Sequence, residues 1–254
     1  MPPPRGDQRC GIAVMAKAPQ PGRAKTRLVP PLTPQIAAAL SAAFLRDMTE
    51  NLALAAREAP IQGWVAYAPA GLESLFDGML APGTRLLLAD GKTVTAPRVQ
   101  GFGRCLLHAV QALLAAGHRS ACVLNSDSPT LPTALLRHAA EALAKPGDRV
   151  VLGPAEDGGY YLLGVKAAHV HVFEEVAWST SCVAAQTRDR VRELGLELVE
   201  LASWYDVDDA AALRRLIGEL EGRGSENPHA PYRAMTTRET IAARRLPEAL
   251  AAFA

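Results

Sequence analysis

The sequence predicts an α/β protein whose mostly parallel sheet is covered by helices on both faces. Three observations carry this. Short apolar runs bounded by turn residues recur along the chain. Segments with helical periodicity separate them. The composition, 49% hydrophobic and 21% charged over 254 residues, supplies apolar surface for a sizeable core. Strands that alternate with helices at this spacing are joined by crossovers, and crossovers build parallel sheets buried on both sides.

The first strand is "GIAVMA" (11–16), short, apolar and bounded by turn residues. Ile36, Leu40, Phe44, Met48 and Leu52 then recur every four residues and give a long helix one apolar face, with Pro34 suited to its first turn. "IQGWVAYA" (61–68) and "TRLLLA" (84–89) are the second and third strands. A helix over 101–116, a strand over 120–126 and a helix over 132–144 follow. "RVVLGPA" (149–155) and "GYYLLGV" (159–165) are two further strands, then come helix 180–194, strand 196–202 and helix 209–221. The polar stretch "EGRGSENPHAP" (221–231) reads as a linker. Beyond it "TTRETIAARRLPEALAAFA" predicts a helical appendage, with Thr237 as the expected cap. The expected organisation is one α/β domain over 11–222 and a linker with appendage over 223–254.

Several function classes are excluded at this level. The formal charge is +1 and the pI is near 7.7, which argues against a general nucleic-acid binder. Cys10, Cys105, Cys122 and Cys182 form no C-x-x-C pair and no zinc-like spacing, so they read as buried or half-buried thiols in a reducing compartment. "MPPPRGDQRC" has no apolar signal core, and no apolar run approaches the ~18 residues of a membrane span. A cytoplasmic protein is expected.

One stretch stands apart. "VMAKAPQPGRAKTRLVP" (14–30) follows the first strand and carries Lys17, Arg23, Lys25 and Arg27, with no acidic residue between Asp7 and Asp47. In a doubly wound sheet the loop after the first strand is the usual phosphate cradle. Gly22 has no partner glycine and no G-K-[ST] follows, so this is not a Walker A loop. "GFG" at 101–103 lacks its third glycine, with Leu106 in that place, so there is no dinucleotide fingerprint. Side-chain cations would therefore hold the phosphates, Arg in a two-pronged grip and Lys as a point charge. The alternative is a solvated basic loop.

Three further motifs carry candidate chemistry. "LNSDSPTLP" (124–132) places Asp127 at the end of an apolar strand, where a carboxylate can hold Mg²⁺ or cap a helix. "WYDVDDAAAL" (204–213) offers Asp206, Asp208 and Asp209, one as the cap of the following helix and another as a second metal ligand. "GPAEDGGYYLLG" (153–164) has Gly158 and Gly159, which permit either close approach to a ligand or an ordinary Asp-Gly turn, next to Glu156 and Asp157. "WSTS" (178–181) reads as a helix start with Ser179 or Thr180 as cap.

With these motifs in their order, the chain resembles the bacterial DUF2064 family over about residues 11–217. The residues that carry the likeness are "KAPQPGRAKTRL", "NSDSP", "GPAEDGGYYLLG", "WST" and "DVDDAAAL". That family belongs to the GT-A-fold nucleotide-diphospho-sugar transferase superfamily, and its members are commonly labelled glycosyltransferases. "AKTRL" also looks like the phospholactate guanylyltransferases. The resemblance implies a Rossmann-like three-layer α/β/α sandwich with a mixed sheet of about seven strands. It implies that Lys17, Arg23, Lys25 and Arg27 line the phosphate side of a nucleotide pocket, and Gly22, Gly158 and Gly159 are counted with them. It implies that Asp127, with Asp206 or Asp208, holds Mg²⁺ or Mn²⁺. The chain departs from the pattern at Asn125, where members commonly have glycine, and at "QGFGRC", where many have Asp-Leu-Gly.

The expected partners are a nucleotide, as NTP or NDP-sugar, and a small-molecule acceptor; neither nucleic acid nor membrane is expected. Two reactions fit. In nucleotidylyl transfer an acceptor phosphate attacks the α-phosphorus of an NTP, with Lys25 and Arg23 stabilising the leaving pyrophosphate and Asp127 holding the metal. In glycosyl transfer from an NDP-sugar, Glu156 or Asp157 would serve as base. Four cations exceed what a diphosphate requires, which favours the first. A non-catalytic nucleotide-sugar binder would need no carboxylate pair.

Overall fold

The computed structural model describes residues 7–223 and 228–251. In chain order the elements are β1 (Asp7–Ala16), α1 (Pro34–Ala55), β2 (Ile61–Tyr67), β3 (Arg85–Leu88), α2 (Phe102–Ala115), β4 (His118–Leu124) and α3 (Thr133–Ala144). They continue with β5 (Arg149–Pro154), β6 (Tyr160–Val165), α4 (Val183–Glu193), β7 (Glu197–Glu200), α5 (Ala210–Leu220), α6 (Met235–Ala243) and α7 (Leu246–Ala251). The strands form one sheet in the order β3-β2-β1-β4-β6-β5-β7. β6 runs antiparallel to both neighbours, and every other pairing is parallel. The architecture is the expected α/β/α sandwich on a mostly parallel mixed sheet.

The two-residue period of the strands sorts the core into two layers. Ile12 and Val14 of β1 and Cys122 and Leu124 of β4 pack beneath α1, α3 and α5. Ala13 of β1 and Ala121 and Val123 of β4 face the other way, under α2 and α4. On α1 the predicted stripe is inward: Leu40, Phe44, Met48 and Leu52 are buried, and Ile36 packs at the margin. Thr33 caps this helix by accepting from Ile36 N at 3.3 Å, and Pro34 stands in its first turn.

Strand order decides where a ligand can sit. β2 and β3 lie on one side of β1, and β4 lies on the other. The connections leaving β1 and β3 therefore diverge, and a crevice opens beyond the carboxyl ends of β1 and β4. Val14 pairs with Leu124, so the basic loop and the Asp127 loop leave the sheet at the same level.

The β5–β6 connection explains the antiparallel strand. Asp157 Oδ1 accepts from Gly159 N at 2.8 Å, Ala155 N donates to Gly159 O at 3.0 Å, and Gly158 has φ +92°. This is a tight Asp-Gly turn, the local alternative to ligand contact at that motif.

Helix α4 begins at Val183, later than expected. Ser179 has φ +65°, and Thr180 Oγ1 accepts from Cys182 N at 3.3 Å to make a turn of its own ahead of the helix. Cys10 and Cys122 are buried and Cys105 is half-buried, but Cys182 is exposed. Among the described residues no helix is long and apolar enough to cross a membrane. The linker expected over 221–231 falls partly on 224–227, outside the described residues.

The last two helices pack on the body through Ala234, Ile241, Leu246 and Leu250, and a carboxylate of α1 caps the first of them. Thr237 lies inside α6 and does not cap it. Asp47, fully buried on α1, accepts from Thr236 N at 3.0 Å and from Thr237 N at 2.7 Å. Those are orphan donors of the first turn of α6, so the cap comes from another helix. Asp47→Ala leaves both amides without acceptors. It is expected to cost about 1–3 kcal/mol of unfolding free energy, seen as a lower urea midpoint at an unchanged slope.

Candidate functional site

A cleft of about 630 Å³ lies over the carboxyl ends of β1 to β4. Met15 and Lys17 come from β1 and its loop, Ala66 and Tyr67 from β2, Ala89 from the end of β3, and Ser126 and Asp127 from the β4 loop. Arg23, Lys25, Arg27 and Asp208 also line it. The four cations of the basic loop and two of the expected aspartates thus share one cavity.

Lys25 is the junction. Its Nζ donates to Val207 O at 2.6 Å, lies 2.7 Å from Asp127 Oδ1 and 3.3 Å from Asp208 Oδ1, and the side chain is only 6% exposed. An ammonium has three donors, and here three acceptors take them. The two carboxylates are therefore no farther apart than these two contacts allow. The backbone of Lys25 sits at φ 48°, a left-handed conformation that non-glycine residues rarely adopt. The Phe44 ring lies 5.3 Å from the ammonium. Arg27 Nη1 adds a second cation 3.3 Å from Asp208 Oδ2.

The loops that carry the aspartates are bound to each other by the main chain. Val207 N donates to Asp127 O at 2.8 Å. Ser128 Oγ donates to Tyr205 O at 2.8 Å, and the Tyr205 hydroxyl reaches Glu219 Oε2 at 2.7 Å. Asp127 is engaged by Lys25, and α3 starts later, at Thr133, so neither Asp127 nor Ser128 caps a helix. Asp209 does cap one, accepting from Ala212 N at 2.8 Å at the start of α5.

Asp206 is not among the residues that line the cleft. Burial, then the neighbouring Asp208, Asp157 and Asp127, raise its pKa to about 6. A carboxyl pushed up by three other carboxylates marks a local excess of negative charge.

The remaining candidates divide. Lys17 and Arg23 are exposed, line the cleft, and have no carboxylate partner among the described residues. Gly22, Gly158 and Gly159 do not line the cleft. Gly22 has φ +76° in an open turn, and a Cβ on Gly158 would lie 2.1 Å from Ser181 O, so close backbone packing accounts for that glycine. Glu156 is bound by Arg215, with Oε1 2.9 Å from Nη2, and that hydrogen bond holds its carboxyl below the usual range. A carboxylate so held is a weaker base, which weighs against the expectation for Glu156. Tyr67, Phe102, Cys105 and Ser179 also line the cleft, none of them expected from sequence as a ligand contact. The exposed Phe102 at the head of α2 was the one with a signal, a large apolar residue between two glycines.

Among the described residues no group of three or more His, Cys, Asp and Glu side chains converges to hold a metal alone. Asp127 and Asp208 offer hard oxygens on the cleft side, and a magnesium site of one or two carboxylates completed by phosphate oxygens and water fits that donor set.

A family model described as an uncharacterized protein conserved in bacteria, DUF2064, matches residues 51–180. No curated protein matches the chain. Among solved structures, a "putative nucleotide-diphospho-sugar transferase" from Desulfovibrio desulfuricans G20 is 26% identical and superimposes with a TM-score of 0.74, covering 94% of this chain and 98% of that one. A CMP:2-keto-3-deoxy-manno-octonic acid synthetase complexed with CTP is 12% identical, with a TM-score of 0.52 and coverage of 85% and 100%. A cytidylyltransferase from Leptospira borgpetersenii serovar Hardjo-bovis (strain JB197) is 11% identical, with a TM-score of 0.52 and coverage of 96% and 97%. At such identities the last two share the fold.

The Glu156–Arg215 pair yields a pH prediction. The folded carboxyl has a depressed pKa, so its contribution to stability is present above the unfolded value of about 4.3 and is lost as pH falls through the folded one. Glu156→Gln should therefore melt below the parent at neutral pH, with the gap closing in acid. Its turnover should stay near the parent's; a hundredfold loss with the fold intact would restore Glu156 as a base.

Proposed function

The chain belongs to the DUF2064 family, and from that premise we propose that it is a divalent-metal-dependent transferase with a nucleotide donor. The favoured reaction is nucleotidylyl transfer from an NTP to a phosphorylated small molecule, with release of pyrophosphate. The observation that carries it is the pairing of Asp127 and Asp208 through Lys25 in a cleft that Lys17 and Arg23 line without carboxylate partners among the described residues.

The roles follow from which cations are free. Lys17 and Arg23 bind the outer phosphates and stabilise the charge that develops on the leaving pyrophosphate. Lys25 has no donor to spare, so it acts as a positioning residue that sets the spacing of two carboxylates. Arg27 supports Asp208. Asp127 and Asp208 would hold Mg²⁺ or Mn²⁺, which when bound supplies Lewis-acid polarisation of the phosphates. The acceptor phosphate is already ionised at neutral pH, so no protein base is needed.

Glycosyl transfer from an NDP-sugar is the second reading. The Desulfovibrio structure's description favours it. So does the cation count: with Lys25 and Arg27 engaged by carboxylates, the two cations left over match a diphosphate as well as a triphosphate. Against it, an inverting transfer needs a carboxylate base at the acceptor. Glu156 is tied to Arg215, Asp157 Oδ1 accepts from Gly159 N in the β5–β6 turn, and the cleft's own carboxylates are tied to Lys25.

Thermal-shift measurements with NTPs and NDP-sugars in the presence of Mg²⁺ separate the two: triphosphates should stabilise more. Asp127→Asn is expected to lower turnover by ~10²-fold or more, the scale of several kcal/mol of transition-state stabilisation, and to remain folded by circular dichroism. Arg23→Ala and Lys17→Ala should each weaken NTP binding more than NMP binding in titration calorimetry. Equal losses for both nucleotides would remove these residues from the outer phosphates.

A further inference from the structure

The main cleft has walls built from opposite faces of the sheet. The basic loop runs from β1 into α1, which packs in one core layer, and Phe102 heads α2, which packs in the other. Between the two walls the cleft crosses Met15, Ala66 and Ala89 at the strand ends. One wall is cationic. The other, made by Phe102, Cys105 and Ser179, contributes no charged side chain to the lining and carries an aromatic ring.

Phe102 is 49% exposed, and a single exposed apolar ring is by itself ordinary. What sets this ring apart is the construction behind it. Trp178 meets it edge to face, with ring centroids 6.3 Å apart and planes at 83°, and Tyr160 meets the same indole at 6.4 Å and 85°. Both positions flanking Phe102 need glycine. A Cβ on Gly103 would lie 2.5 Å from Trp178 Nε1, and Gly101 has φ +52° with ψ −132°, a conformation that L side chains rarely adopt. The segment that carries Trp178 is pinned from two sides. Glu175 N donates to Arg98 O at 3.2 Å, Arg98 Nη2 donates to Glu175 Oε1 at 2.7 Å, and Ala177 N donates to Gln186 Oε1 of α4 at 2.8 Å. The exposed ring is thus backed by a fixed indole, and such preorganisation lowers the cost of ordering on binding.

Resting on the nucleotide-donor reading, we propose that Phe102 is the stacking platform for the donor's nucleobase. Every base presents a flat π face that an exposed aromatic ring can cover. The base carries no net charge, which matches a wall without charged side chains. The phosphates of the same molecule reach Lys17 and Arg23 on the other wall, so the two walls bind opposite ends of one ligand. NTPs and NDP-sugars both carry the base, and the assignment holds for either reaction.

The test sets nucleotides against inorganic tripolyphosphate, which has the charge and no base. Binding of ATP, CTP, GTP, UTP, UDP-glucose and GDP-mannose to the full chain with Mg²⁺ is measured by titration calorimetry, and base-proton shifts by NMR. The nucleotide that binds the parent best should show its base protons moved upfield, as protons over the face of a phenyl ring are. Phe102→Leu keeps apolar bulk against Trp178. It should weaken that nucleotide about tenfold, within the range of a base–aromatic stack, abolish the upfield shift and leave tripolyphosphate affinity unchanged. Phe102→Tyr should keep both the affinity and the shift. Unshifted base protons in the parent, parental nucleotide affinity in the Leu variant, or an equal loss for tripolyphosphate overturns the platform while the parent's nucleotide binding stands. A parent that binds no NTP and no NDP-sugar overturns the donor reading and this assignment together.

Discussion

The site depends on one buried ammonium. Lys25 brings together three segments that are far apart in sequence: the loop after β1, the loop after β4 and the approach to α5. Burying an amine without partners is costly, and burying one that donates to a carbonyl and two carboxylates is not. The left-handed backbone at Lys25 costs about 1–2 kcal/mol, and a conformation of that kind persists where its surroundings over-determine it. Leu28 N donates to Lys25 O at 3.0 Å, and the side chain is held at its far end, so both ends of the residue are fixed.

A second support lies just outside the cleft. Arg215 of α5 lies over the Tyr205 ring at 3.9 Å while its guanidinium grips Glu156 in the β5–β6 turn. Tyr205 stacks on Trp204, whose backbone N–H donates to Pro154 O at 3.2 Å. The chain segment that presents Asp206 and Asp208 is thereby sewn to β5 on one side and to the Asp127 loop on the other. These contacts hold the segment in place around the Lys25 bridge, the kind of preorganisation that electrostatic catalysis relies on.

The order of strands and helices was legible because every segment carried its own period, as in the four-residue stripe of α1 and the apolar run of β4. The alignment of Lys25 with Asp127 and Asp208 was legible only as a position beyond strand ends; that Lys25 spends all its donors on protein acceptors was not, because such contacts depend on side-chain reach across three loops. Glu156 misled for the same reason. Its acidic neighbour and glycine turn suggested availability, but the partner that occupies it, Arg215, arrives from α5. The cap of α6 was hidden likewise, since Asp47 reads in sequence as an ordinary polar position on a long helix and nothing local couples it to Thr236 and Thr237.

The isolated basic loop can now be understood in electrostatic terms. Its four cations lack acidic neighbours in sequence, but the fold delivers acids to two of them. Lys25 and Arg27 meet Asp127 and Asp208, and Lys17 and Arg23 meet none among the described residues. Among the described residues the loop's neutralisation is left to these long-range pairs. The same arrangement makes an anionic ligand the natural partner for the two cations that meet no acid among the described residues.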